Sequence, residues 1–254
     1  MKLTINTPKG KYTYKFKVVY NGIKILDMAI AKDNLLLFNT IAHKNGLKFG
    51  LVYGTLLGAI REHDFIEHDE DIDLFILRED LDIFKSMLFE LRDNGFEVIR
   101  YDRRGGLCSI MRKGEYIDIY IMSPLIEGVR ETLGDPIPAK YVTDLVEYDF
   151  QGAKFLAARE AEEAMMFNYG GTWNVPIVMK PYNMSFVKRI KRKFNWWFYY
   201  AMPDFMFNPI MEKRAVKKME RYNMRAARLN ELLGREVIKA IPLDCYKLGK
   251  NKTV

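Results

Sequence analysis

Residues 54–77, GTLLGAIREHDFIEHDEDIDLFIL, set Asp69, Glu70, Asp71 and Asp73 directly before the apolar run Leu74 to Leu77. A short apolar run bounded by polar residues predicts a buried strand. Side chains two apart on a strand share a face, so Asp71 and Asp73 are expected to leave one edge together while Ile72, Leu74 and Ile76 point the other way. Carboxylates held that close repel unless a cation lies between them, and hard oxygen ligands favour Mg²⁺ or Mn²⁺. Acids at strand ends are also often simply solvated, so the pair alone leaves both readings open.

A second acid adds weight to the first. EYIDIYIM places Asp118 among apolar neighbours, on the face opposite Ile117, Ile119 and Ile121, and an aspartate there is costly to bury unless it is paired, hydrogen-bonded or bound to metal. Asp71, Asp73 and Asp118 together make a three-carboxylate metal site. Upstream, Tyr53-Gly54-Thr55 reads as a strand-to-helix turn. Gly54 would admit a ligand close to the backbone, Thr55 would cap the helix, and the helix N-terminus would offer N–H groups to phosphate. Many turns share that composition, but this one, followed by D-x-D, predicts a phosphate cradle facing a metal.

Elsewhere the pattern predicts a hairpin around Asn21-Gly22, a helix capped by Asp27 or Asp33 and ended by Gly46, and a short strand at LKFGLVY. Leu81, Phe84, Leu88 and Leu91 recur at helical spacing before Gly95. FEVIRY, LCSIMR and EYIDIYIM follow as strands, and GDPIPAKYV as a Pro-rich connection. LVEYDFQGAKFLA reads as a short hairpin and REAEEAMMFNYGG as a helix. The result is an α/β fold with a mixed sheet flanked by helices.

The net charge of +7 conceals a split: residues 180–254 carry 18 Lys and Arg against 6 acids (+12), leaving 22 against 27 (−5) for residues 1–179. We therefore expect a catalytic domain at 1–179 and a basic, aromatic-rich helical region at 180–254. In SFVKRIKRKFNWWFYYAM, Phe186, Ile190, Phe194, Trp197 and Ala201 share one side and Lys188, Lys191 and Arg192 another, so the 185–202 helix is expected to touch an anionic membrane surface. Core packing of the aromatics and a merely solvated basic face are the plainer readings. No apolar run approaches the roughly 20 residues that span a bilayer, and no secretory leader is evident, so a cytoplasmic location, peripheral at the inner face of the cell membrane, is expected. Cys108 and Cys245 lack metal-ligand spacing and read as packed thiols. His63 and His68 flank the acids and read as loop residues, with a general-base role for His68 as the alternative. Arg103, Arg104, Arg112 and Lys113 lie in turns near the acids and could meet phosphate or water.

GTLLGAIREHDFIEHDEDIDLFIL, YIDIYIMSP and FNYGGTWNVP, in that order from about Asp33 to Pro176, resemble the LicD family of phosphotransferases, which includes phosphocholine transferases and fukutin-related proteins and has a nucleotidyltransferase-like fold. The resemblance implies Mg²⁺-dependent transfer of a phosphorylated alcohol (choline, glycerol, ribitol or sugar phosphate) from a CDP-type donor to a glycan hydroxyl in surface-polysaccharide synthesis. It implies that Gly54 and Thr55 hold donor phosphates and Arg61 pairs with phosphate charge. Asp71 and Asp73 would bind metal, Asp118 would complete that site or take the acceptor proton, and Asp69 is a supporting or base residue. Tyr169, Gly170 and Trp173 would line the donor or acceptor side. Glu67-His68 replaces the family's usual Pro-Trp, Asp64-Phe65 its Gly-Phe, and YGGTW its Tyr-Gly-Asp, changes that bear on donor identity. The alternatives are a nucleotidyltransferase moving NMP from an NTP to a small molecule or RNA end, and a non-enzymatic module that docks polyanions or membrane. For the leading reading no nucleic-acid partner is expected.

Overall fold

The computed structural model describes residues 2–17, 25–177 and 185–245, without the side chains of 189, 192, 193, 197 and 198. The chain runs β1 (Lys2–Thr7), β2 (Gly10–Lys15), α1 (Met28–Lys44), β3 (Gly50–Leu51), α2 (Tyr53–Arg61), β4 (Ile72–Leu77), α3 (Leu81–Asp93), β5 (Glu97–Tyr101), β6 (Leu107–Arg112) and β7 (Glu115–Ile126). It continues through β8 (Val129–Thr132), β9 (Asp135–Pro138), α4 (Lys140–Thr143), β10 (Leu145–Phe150), β11 (Ala153–Ala158), α5 (Ala161–Tyr169), α6 (Phe186–Ala201) and α7 (Asp204–Leu233). A hairpin that the sequence reading did not anticipate turns at Thr7–Gly10; the one expected around Asn21-Gly22 lies outside the described residues, as do the side chains of Arg192 and Trp197.

Seven strands lie in the order β10-β11-β3-β4-β7-β6-β5, and β8 and β9 extend from the far end of β7. The β4–β7 and β11–β3 pairs are parallel and the other neighbours antiparallel, so the fold is a mixed α/β sheet flanked by helices. Ile72, Leu74 and Ile76 of β4 and Ile117, Ile119 and Ile121 of β7 are fully buried, which is what alternation against covering helices requires. α1 starts at Asp27, whose carboxylate accepts from the N–H groups of Ala29 and Ile30, both at 3.1 Å. The Pro-rich connection is more ordered than the sequence suggested: β8 and β9 pair, because Pro136 and Pro138 fall on an edge strand where no N–H is demanded of them.

α7 lays Ala215, Met219, Tyr222, Ala226 and Leu229 into the same core as the sheet. Arg225 joins it to β9 through Asp135 (2.9 Å) and Pro136 O (3.2 Å), with its guanidinium over the Phe167 ring. Asn230 clamps the returning chain, accepting from Val237 and Ile238 N–H and donating to Ile238 O. Burial of a large aromatic side chain such as Tyr222 contributes about 3–5 kcal/mol by comparison with truncation of similar residues. Tyr222→Ala is therefore expected to shift the urea midpoint of the whole chain in one cooperative transition followed by circular dichroism; melting of α7 alone, with the sheet unaffected, would contradict that packing.

Candidate active site

Parallel pairing of β4 with β7 places Asp73 directly opposite Asp118. The antiparallel registers then continue the line, Asp118 opposite Ser109 and Ser109 opposite Arg100. One polar row thus crosses four strands on the sheet face that Ile72 and Ile117 do not occupy. Asp71 sits just before β4, and Asp69 two residues earlier.

Asp73 is 7% exposed and Asp118 4%. Desolvation pushes the Asp71 and Asp73 carboxyls well above the usual range. The charges of Asp73, Asp118, Asp69 and Glu70 add to the effect at Asp71, and those of Asp69 and Asp118 at Asp73. Asp69 is raised by desolvation too. The protein's answer at Asp73 is a set of donors: Gly54 N–H at 2.9 Å from Oδ2 and the Tyr120 hydroxyl. Tyr120 lies two residues beyond Asp118 on the same face, and its ring meets that of Tyr53 edge-on at 4.9 Å.

Gly54 is required sterically. A Cβ there would stand 2.5 Å from Asp69 Oδ2 and 3.1 Å from Asp73 Oδ2, so the space beside its backbone belongs to the protein's own acids. The start of α2 accordingly serves Asp73, where the sequence suggested a cradle for phosphate alone. Thr55 does not cap α2: Val52 is the N-cap, and buried Thr55 accepts from the Asp73 N–H through its hydroxyl at 2.8 Å, locking helix to strand. Thr55 is the third residue of the helix, and its hydroxyl is turned to β4.

Asp118, expected to complete the metal site or to take the acceptor proton, is held by the next two strands. Its Oδ2 accepts from Arg100 Nη2 at 2.6 Å and its Oδ1 from the Ser109 hydroxyl, while Arg100 Nε donates to Ser109 Oγ at 2.9 Å. Although desolvation opposes the charge of Arg100, Asp118 holds the guanidinium protonated. Among the described residues no three acidic, His or Cys side chains converge as a ready metal site. What remains is a two-carboxylate arrangement, Asp71 and Asp73 with Asp69 close by, whose mutual repulsion and hard oxygen donors fit a divalent cation.

Arg61 lies half under the FNYGGTWNVP segment, donating from Nη1 to Trp173 O at 3.2 Å and from Nε to Glu62 at 2.7 Å. That contact joins the two distant motifs. Tyr169 stays 42% exposed, yet desolvation and the charges of Asp73 and Asp69 push its phenol up. Gly170 ends α5 at φ +92°, and a Cβ there would stand 3.1 Å from Arg228 Nη1, so backbone form and tight packing fix this residue. His63 and His68 are exposed, and His68 has Glu67 at 3.8 Å. Arg112 and Lys113 pair with Asp33 at 2.7 and 2.8 Å, away from the acids, and Arg103 binds Tyr199 O, Met202 O and Asp204 at the α6–α7 corner. Arg100, Ser109 and Tyr120 escaped sequence reasoning. Only Tyr120, in step with Asp118, carried a signal that alternation could have read.

Residues 46–123 match the family described as LicD/FKTN/FKRP, nucleotidyltransferase domain. Among curated proteins, an uncharacterized protein of Rickettsia prowazekii is 34% identical over 79 residues, 31% of this chain and 28% of its own length. One of Caenorhabditis elegans is 28% identical over 163 residues, 58% of this chain and 41% of its own. The chain thus spans well under half the length of these relatives. Among solved structures, the lincosamide antibiotic adenylyltransferase LnuA superposes with a TM-score of 0.41 at 12% identity over 68% of this chain and 96% of that one. The antibiotic-resistance factor ANT(2'')-Ia superposes with 0.44 at 13% identity over 82% and 95%. The matched stretch runs from just after α1 to late in β7 and contains the glycine turn and the aspartates.

Proposed function

We propose that this protein is a Mg²⁺-dependent phosphotransferase that moves a phosphorylated alcohol from a CDP-type donor to a hydroxyl of a cell-surface glycan, as in capsule or lipopolysaccharide synthesis. The observation that carries the reading is the half-buried and buried group Asp69, Asp71 and Asp73, with Asp69 and Asp73 against Gly54 and the three crowded by mutual repulsion. Asp71 and Asp73 would hold the cation, which supplies charge neutralisation at the donor diphosphate. Asp118, already bridged to Arg100, keeps the row electrostatically fixed.

In the reaction the acceptor oxygen forms a new bond to phosphorus, the bond from that phosphorus to the CMP oxygen breaks, and the hydroxyl proton passes to a carboxylate. Asp69 suits that role. It stands against Gly54, outside the Arg100 ion pair, and a partly desolvated carboxylate is a stronger base than an exposed one. Arg61, anchored by Trp173 O, would take up charge on the departing CMP, and Tyr169 and Trp173 would line that side.

The family description also favours a second reading, transfer of NMP from an NTP. Product analysis separates the two: CMP with a phospho-alcohol on the acceptor marks the first, and pyrophosphate marks the second.

A peripheral location at the inner membrane face rests on α6. Phe186, Val187, Ile190 and Phe194 are exposed beside exposed Lys188 and Lys191, while no described helix is long and apolar enough to cross a membrane. Flotation with anionic vesicles is expected to carry the wild type and to lose a Phe186→Ser, Phe194→Ser double variant; equal partitioning would refute the contact.

A metal ligand contributes several kcal/mol of transition-state stabilisation, so Asp71→Asn and Asp73→Asn are each expected to cut turnover by about 10³-fold or more while the melting profile persists. Gly54→Ala drives a methyl into Asp69 and is expected to lower kcat/KM by on the order of 10²-fold by displacing the acids. Both are read with a Mg²⁺-supplemented panel of CDP-choline, CDP-glycerol, CDP-ribitol and nucleoside triphosphates, first by thermal shift and then by turnover. Near-normal activity in the aspartate variants would overturn the assignment.

A further inference from the structure

The polar row across the sheet depends on an irregularity at its far end. β5 and β6 pair Val98 with Ile110, and regular antiparallel pairing would next set Ile99 against Ser109 and Arg100 against Cys108. Instead the register shifts between Val98 and Arg100, so that Arg100 stands opposite Ser109 and Tyr101 opposite Cys108. A bulge of this kind re-aims a side chain. Here it turns Arg100 to the face of Ser109 and Asp118, while Cys108 stays in the apolar core.

The arginine closes a ring of three side chains. Its Nη2 donates to Asp118 Oδ2 at 2.6 Å and its Nε to Ser109 Oγ at 2.9 Å, and the Ser109 hydroxyl donates to Asp118 Oδ1. Ser109 and Asp118 are buried. Each oxygen of this carboxylate therefore already serves a donor, one of them a full positive charge. A divalent cation on the same carboxylate would stand beside the guanidinium where little water screens the repulsion. Asp73, directly opposite Asp118 in the register, is met instead by the neutral Gly54 N–H. Two-metal phosphoryl-transfer sites clamp the attacking and the leaving oxygen with one ion each. In this row one divalent ion balances Asp71 and Asp73, and Arg100 balances Asp118.

We propose that the site takes a single divalent cation, at Asp71 and Asp73, and that Arg100 is a positioning residue fixed on Asp118 in place of a second ion. The inference rests on the metal-dependent reading above. With no second ion to acidify the entering hydroxyl, its proton is left to a carboxylate, the role given to Asp69.

The test is a Mn²⁺ titration of the full chain, read from the electron paramagnetic resonance of the free ion, with CDP present and the same CDP without protein as the blank. The wild type is expected to hold one ion per chain. An Arg100→Met, Asp118→Asn double variant exchanges an ion pair for a neutral pair, so it is expected to hold one ion with an affinity within about threefold of wild type. Asp73→Asn removes a ligand and is expected to weaken binding by about tenfold or more. Arg100→Met alone releases Asp118 and is expected to raise the count to two; a melting curve checks that it folds, and if it does not, the double variant decides. Two ions in the wild type, a loss of about tenfold or more in the double variant, or a folded Arg100→Met that still holds one ion would each overturn the inference. The metal reading fails separately, and takes this inference with it, if the wild type holds no Mn²⁺ that depends on Asp73.

Discussion

The parallel pairing of β4 and β7 is the constraint on which the site depends. It puts two buried aspartates, Asp73 and Asp118, side by side on one sheet face. The fold then disposes of the two charges differently. Asp118 receives a guanidinium and a hydroxyl from the next two strands, whereas Asp73 receives neutral donors from Gly54 and Tyr120 and stays in conflict with Asp69 and Asp71. Paired acids in low dielectric are stable only when something opposes their charge. The arrangement therefore separates a structural carboxylate from a group still short of positive charge.

The helix start at Tyr53 shows how tightly backbone and acids are coupled. Tyr53 takes φ +46°, a conformation that L-residues rarely adopt, and the next N–H then points at Asp73. Thr55 locks the same helix to the same strand from behind. A two-residue strand and a nine-residue helix would be weakly held by themselves; their position comes from these two hydrogen bonds and from the core beneath. The basic C-terminal helices complete the opposite end, since α7 is built into the core and α6 with α7 walls a cavity beside Arg100.

Much of this was legible in the residues. The alternation in DIDLFIL and EYIDIYIM identified two strands and the aspartates that break their apolar pattern, and helical spacing identified α3. The hairpin that turns at Thr7–Gly10 was not anticipated, and the one expected around Asn21-Gly22 lies outside the described residues. Thr55 was misread because Ser or Thr after a glycine commonly caps a helix, and here the helix begins two residues earlier.

The sequence by itself determined that aspartates would interrupt two apolar strands and that a glycine turn would precede them, because side-chain alternation and turn chemistry are local properties. Only the tertiary structure decided which aspartate met a cation. Arg100 and Ser109 reach Asp118 through strand order and register, and Arg61 reaches Trp173 across 112 positions of chain. Such partners are fixed by which strands lie next to one another and at what offset, quantities set by packing of the whole sheet and carried by no short stretch of residues.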